Sequence, residues 1–212
     1  MLACRAMADD PKLPDDWVRP GPAGVRPYVP GRPVEEVQRE RGLERVVKLA
    51  SNEGPFPPVP EAVAALEACS ADQRLYPDPG CWELRDLLAG RLGVSAAQIT
   101  VGAGIDGLIK YLGILALGPG DALAMSWPSF VQWRAVAGIQ GARVDAAPLA
   151  SDGSCDLDGL LAAIRPETKM VVVVSPNNPT GAAVEPGDLD RFLDAVPDHV
   201  LPVLDEAYFE FL

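Results

Sequence analysis

The stretch VGAGIDGL, residues 101–108, spaces Gly102, Gly104 and Gly107 as G-x-G-x-x-G. It follows an apolar run read as a strand (ITVG, 99–102) and opens a helical pattern. Small residues at such a junction let backbone N–H groups converge on one point, and the helix dipole favours an anion there. The chemistry this offers is phosphate binding. A dinucleotide fold also needs an Asp or Glu about 20 residues on, at the end of the second strand, to hold the ribose hydroxyls. The nearest acid, Asp121, precedes the strand ALAMS (122–126), and the carboxyl end of that strand runs into WPSF without one. The spacing therefore does not support a nicotinamide-dependent oxidoreductase. Taken alone, residues 104–107 read equally well as a phosphate cradle or as a bare strand-to-helix turn.

Three further stretches sit where open α/β sheets bind ligands, past the carboxyl ends of strands. WPSF (127–130) brings Phe130. SPNNPTG (175–181) follows the apolar run MVVVVS; its Asn, Pro and Gly enforce an irregular turn, and Asn177 and Asn178 offer amides. DEAY (205–208) places Asp205 and Tyr208 at the end of the last strand. Each has an ordinary structural reading: a packed Phe, turn asparagines, a capping Asp, a half-buried Tyr. Together, at equivalent ends of one sheet and beside a phosphate cradle, they describe a seat for a flat, phosphorylated heteroaromatic ligand.

The elements that must deliver these residues follow from pattern. Residues 9–36 are rich in Pro and Gly and read as an arm rather than regular structure. VVKLA (46–50) reads as a short strand and residues 60–69 as a helix with Pro at its start. Leu84, Leu87, Leu88 and Leu92 recur at helical spacing. Then come a helix over 106–117, the strand ALAMS, a helix over 130–139, a strand over 142–149 and a helix over 156–164 with Asp156 as N-cap. MVVVVS (170–175) is continuous apolar, as in a strand buried on both faces. A helix over 188–196 and a strand leading into DEAYFEF complete the order. Strands alternating with helices imply an α/β layer with a largely parallel sheet. A sheet that stops at Leu212 would leave an edge bare, so the large domain is expected to be incomplete.

Composition narrows the class. The chain has 212 residues, 48% of them hydrophobic, and a formal net charge of −12. No basic run is present, so no nucleic-acid partner is expected. No stretch reaches the roughly 20 apolar residues of a membrane span, and residues 1–12 carry no apolar run of a signal peptide. Cys4, Cys69, Cys81 and Cys155 form no C-x-x-C pair and stand apart from the lone His199. No metal site is expected; free thiols in a reducing cytoplasm are the better reading.

At this point the residues resemble a known family. SPNNPTG followed by DEAYFEF resembles the fold-type-I pyridoxal-phosphate aminotransferases. PYVPGRPVEEVQRERG, VKLASNEGPFPP, LYPDPGCWELRDLLAGRLGV and WPSF, in that order, are similar to the histidinol-phosphate branch. The resemblance spans about residues 25–212. It implies a three-layer α/β fold around a mostly parallel sheet, with residues 1–45 as arm and small-domain contribution and 46–212 as a truncated cofactor-binding large domain. It implies pyridoxal 5'-phosphate as cofactor, with Asp205 on the pyridine nitrogen, Asn178 and Tyr208 on the phenolic oxygen, and Phe130 against the ring. Backbone N–H groups of Ile105, Asp106 and Gly107 would hold the phosphate. Tyr76 would reach the cofactor phosphate of a partner subunit, implying a homodimer, and Asn52 and Glu53 would line the substrate entrance. The activity implied is amino transfer between histidinol phosphate and 2-oxoglutarate or glutamate. An aromatic-amino-acid aminotransferase or a threonine-phosphate decarboxylase of the same superfamily would share these motifs; a non-catalytic remnant is a further alternative.

The sequence departs from the family pattern in two places. The cradle reads GAGIDG where the branch reads GNGSDE or GADE, so Ile105 supplies no hydroxyl and Gly107 stands in place of an acid. The Schiff-base lysine of the family lies downstream of DEAY. The four lysines here, Lys12, Lys48, Lys110 and Lys169, do not fall in such a place. These 212 residues alone are therefore expected not to transaminate.

Overall fold

The computed structural model describes residues 19–26 and 29–212. They divide into two compact units, one of residues 29–101 and one of residues 19–26 with 102–212.

The second unit carries the sheet. Its strands are β1 (Ala122–Trp127), β2 (Arg143–Pro148), β3 (Thr168–Val174) and β4 (Leu201–Asp205), all parallel in the order β2-β1-β3-β4. Parallel strands need crossovers, supplied by α6 (Val131–Gln140), α7 (Leu157–Ala162) and α8 (Pro186–Ala195); α5 (Gly104–Ala116) leads into β1. Side chains alternate across the sheet. Leu123, Met125, Met170, Val172 and Val174 meet Ile109, Trp133 and Ala137 of α5 and α6 on one face. Ala124, Val171 and Val173 meet Leu160 of α7 and Phe192 of α8 on the other. The result is three layers, helix–sheet–helix, with β1 and β3 buried on both faces. That is why MVVVVS is continuously apolar. Asp156 caps α7, accepting the Gly159 N–H at 3.0 Å.

Part of the expected arm is regular. α1 (Pro20–Ala23) is a single turn packed on α6. A Cβ at Gly21 would come within 2.7 Å of the Gly138 carbonyl oxygen, so the close approach requires glycine.

The first unit contains α2 (Val34–Arg41), α3 (Pro60–Ala68) and α4 (Trp82–Leu92). The start of α4 is held by Asp78, whose carboxylate accepts the N–H groups of Trp82 at 2.7 Å and Gly80 at 2.9 Å. These bonds hold the Asp78 carboxyl below the ordinary range. The expected strands at 46–50 and 99–102 do not form. Neither segment pairs with a strand among the described residues, and Leu49 is 92% exposed, so its β-branched neighbours have no ladder to join. Ile99 keeps extended dihedrals (φ −110°, ψ 128°), but its N–H turns back to the Ala96 carbonyl at 3.3 Å instead of joining a ladder.

Candidate active site

β1, β3 and β4 are neighbours in the sheet and run the same way, so their carboxyl ends open side by side. Each ends in one of the stretches singled out by chemistry. β1 leads through Pro128 and Ser129 to Phe130, the N-cap of α6; β3 leads into residues 175–181; β4 ends at Asp205. Ile105, Phe130, Val174, Asn178, Asp205, Ala207 and Tyr208 line one hollow there. Five of the expected site residues are thus brought together. The hollow measures about 30 Å³, far below the roughly 300–1,000 Å³ of an enclosing ligand site. The unit supplies a floor, not a closed chamber.

Asp205 is the charge at that floor. It is 3% exposed. Its Oδ2 accepts the indole N–H of Trp133 at 2.8 Å and its Oδ1 accepts the Ala207 N–H at 3.2 Å. A buried carboxyl group needs such hydrogen-bond partners. Oδ1, held by a longer bond, keeps acceptor capacity. Trp133 was not legible as a site residue. At helical spacing in an apolar context it reads as core, and the only signal available was that a buried indole N–H usually finds a partner.

The cradle is the first turn of α5. Gly104 sits at φ +65°, a left-handed conformation that favours glycine. The first N–H groups of a helix lack intrahelical acceptors. Gly104 donates to the Gly102 carbonyl at 2.9 Å and Gly107 to the Ala103 carbonyl at 3.3 Å. The expected Gly107 donor is therefore spent within the turn, and the N–H groups of Ile105 and Asp106 are the ones the turn leaves open. The Asp106 side chain turns elsewhere: it accepts from Gln132 Nε2 at 3.1 Å and lines a groove of about 210 Å³ with Lys110, Val136 and Ile139.

Asn177 is not a ligand donor. It is 2% exposed and does not line the hollow. Its Oδ1 accepts from Ser129 Oγ at 2.6 Å, and its Nδ2 donates to the Pro128 carbonyl at 3.2 Å and to Thr180 Oγ1 at 2.9 Å. The first of the two neighbouring asparagines is spent on the protein, leaving Asn178 for the hollow.

Tyr76, Asn52 and Glu53 belong to the other unit. Tyr76 is fully exposed, two residues before Asp78 and its bonded turn. Asn52 follows Ser51 in the left-handed region, at φ 50° and 70°. Glu53 Oε1 accepts from Lys48 Nζ at 2.6 Å. Among the described residues no lysine lines the hollow, and none of Lys48, Lys110 and Lys169 is near the end of β4 by sequence; Lys169 sits at the amino end of β3.

A roomier cleft of about 560 Å³ lies between α7 and α8, lined by Asp152, Asp156, Asp158, Glu185 and Asp188. Cys155 at its base is buried, which pushes the thiol pKa up and leaves it a poor nucleophile. Among the described residues no group of three His, Cys, Asp or Glu could hold a metal ion, and no helix is long and apolar enough to cross a membrane.

A buried carboxylate, an aromatic, an amide and a phenol around one floor, with helix N–H groups beside it, suit a flat heteroaromatic anion. Comparison with known proteins agrees. The chain is 44% identical to the histidinol-phosphate aminotransferase of Moorella thermoacetica over 188 residues, covering 89% of this chain and 48% of that protein. It is 45% identical to that of Bacillus licheniformis over 188 residues, with 89% and 52% covered. The chain thus spans about half the length of the relatives it matches. The crystal structure of histidinol-phosphate aminotransferase from Sinorhizobium meliloti in complex with pyridoxal-5'-phosphate superposes with a TM-score of 0.82 at 30% identity, over 97% of this chain and 53% of that one. The model of the family "Aminotransferase class I and II" matches residues 44–212, and the chain belongs to that family.

Proposed function

We propose that this chain forms the cofactor-binding part of a pyridoxal-phosphate-dependent transaminase that moves an amino group between histidinol phosphate and 2-oxoglutarate in histidine biosynthesis. The observation that carries this is the convergence of Asp205, Asn178, Tyr208 and Phe130 on one floor beside the open N–H groups of α5. The relatives' names and the family membership support the choice of reaction.

The residues present fit the cofactor. Asp205 is a buried carboxylate with acceptor capacity left, and it would hold a proton on the pyridine nitrogen. Asn178 and Tyr208 would bond the phenolic oxygen, Phe130 would cover a ring face, and the N–H groups of Ile105 and Asp106 would bind phosphate oxygens. Bound there, pyridoxal phosphate supplies an electron sink for charge developing on the substrate carbon. Residues 1–45 would contribute arm and small domain and 46–212 the large domain. Tyr76 would reach the phosphate site of a second copy in a homodimer, and Asn52 and Glu53 would border the substrate in a cytoplasmic enzyme. The lysine that such chemistry needs is assigned, in this reading, to sequence downstream of Leu212.

The test is made on the full-length protein. Incubated with pyridoxal phosphate, histidinol phosphate and 2-oxoglutarate, it should form glutamate. The Asp205→Asn variant should lose on the order of 100-fold or more in kcat, the scale of losing one preorganised charge-stabilising group. An unchanged rate in that variant sinks the assignment of Asp205. Turnover of aromatic amino acids without turnover of histidinol phosphate would move the protein to a sister activity.

A further inference from the structure

We propose that Asn177 is a positioning residue: its buried amide sets Phe130 and Asn178 relative to each other, and so sets the seat of the ring. The inference rests on the pyridoxal-phosphate reading of the hollow.

A carboxamide has one acceptor oxygen and two N–H donors, and at Asn177 all are used. The Pro128 carbonyl can only accept, so the amide nitrogen must face it, and the oxygen then faces the Ser129 hydroxyl. The second N–H goes to Thr180 Oγ1, which itself donates to the Gly153 carbonyl at 2.7 Å. The main chain of Asn177 closes its own turn, donating to Ala182 O at 2.8 Å and accepting from Gly181 N at 2.7 Å. One side chain therefore ties the turn after β1, the turn after β3 and, through Thr180, the loop after β2.

What these ties fix is given by chain neighbours. Ser129 directly precedes Phe130, and Asn177 directly precedes Asn178. The ring-facing aromatic and the amide sit on different loops, and no regular ladder joins those loops beyond the strand ends. Ser129 is 6% exposed, so neither partner of the short Ser129–Asn177 bond has water as a substitute. No isostere replaces the amide. Aspartate would set a carboxylate against the Pro128 carbonyl and offer no donor to Thr180, and leucine would take this partner from the Ser129 hydroxyl, the Pro128 carbonyl and Thr180 together.

The full-length protein tests this with three readouts: the dissociation constant for pyridoxal phosphate, followed by tryptophan fluorescence; the induced circular dichroism of the bound cofactor, which reports the asymmetry of the ring's seat; and the apo melting temperature. Asn177→Asp should weaken binding about tenfold or more, as expected when a supporting residue is lost, and should change the induced signal. Ser129→Ala, which cuts only the tie to the Phe130 turn, should change the induced signal in the same sense with a smaller loss of affinity. Thr180→Ser, which keeps the hydroxyl, should stay within about twofold of the parent. If Asn177→Asp does not fold, Ser129→Ala decides. Both readouts unchanged in Ser129→Ala, with only the melting temperature lowered, would make Asn177 a structural residue and overturn the proposal. Failure of the parent protein to bind pyridoxal phosphate would instead sink the cofactor reading, and this assignment with it.

Discussion

Asp205 is accommodated in a buried place because two donors meet its two oxygens, one of them the indole N–H of Trp133. Trp133→Phe removes the N–H and also shrinks a buried indole to a single ring, so a cavity cost adds to the loss of the donor. A buried carboxylate oxygen left without its donor should cost about 1–3 kcal/mol, read as a lower urea midpoint at unchanged m-value. A variant as stable as the parent would mean that the indole bond contributes nothing net. Trp133 also marks the limit of what the chain of letters revealed at this scale. Asp205, Asn178, Tyr208 and Phe130 could be singled out because each follows a recognisable strand at its carboxyl end. The turn motif offers the amides of Asn177 and Asn178 alike, because it does not say which way each one points. Only Pro128, Ser129 and Thr180, placed by the fold, decide that.

Among the elements, the decisive fact is that β1, β3 and β4 are adjacent and parallel. The apolar runs of β1 and β3 are plain in the sequence because two-sided burial makes them continuous, and the helices between the strands because their apolar spacing marks them and Asp156 caps α7. Residues 46–50 and 99–102 have the same local character but no partner strand, and β propensity without a ladder does not make a strand. Where two helices cross, the letters were silent as well. α5 passes α6 at Gly113, where a Cβ would stand 2.0 Å from Val136 Cγ1. Valine is stiff at χ1 and cannot swing away cheaply, so Gly113→Ala should force the helices apart. Overpacking costs about 1–3 kcal/mol, against about 1 kcal/mol gained in helix propensity, and the net should be a lower melting temperature. A rise would mean that the α5–α6 contact relaxes freely.

For the molecule as a whole, the question is what covers its apolar surface. In the unit of residues 29–101, Leu49 is 92% exposed, Phe56 86% and Trp82 68%, and α3 has no buried residue. In the other unit, Leu115 of α5 is 80% exposed and Phe211 86%, while β4 is an edge strand with Leu201 at 42%. Soluble monomers rarely leave large contiguous apolar patches in water, and an open edge invites pairing. Expressed as these 212 residues, the chain should bind a hydrophobic dye and elute from a sizing column above monomer size, increasingly so with concentration. The full-length protein should be dye-silent and of fixed size, with the proposed homodimer as that size. The pair of measurements separates two physical accounts. A sticky short chain beside a clean full-length dimer would mean that added sequence and a second copy together supply the cover. A short chain that stays monomeric and dye-silent would mean that water tolerates these faces bare, and the homodimer, with Tyr76 reaching across it, would lose its physical motive.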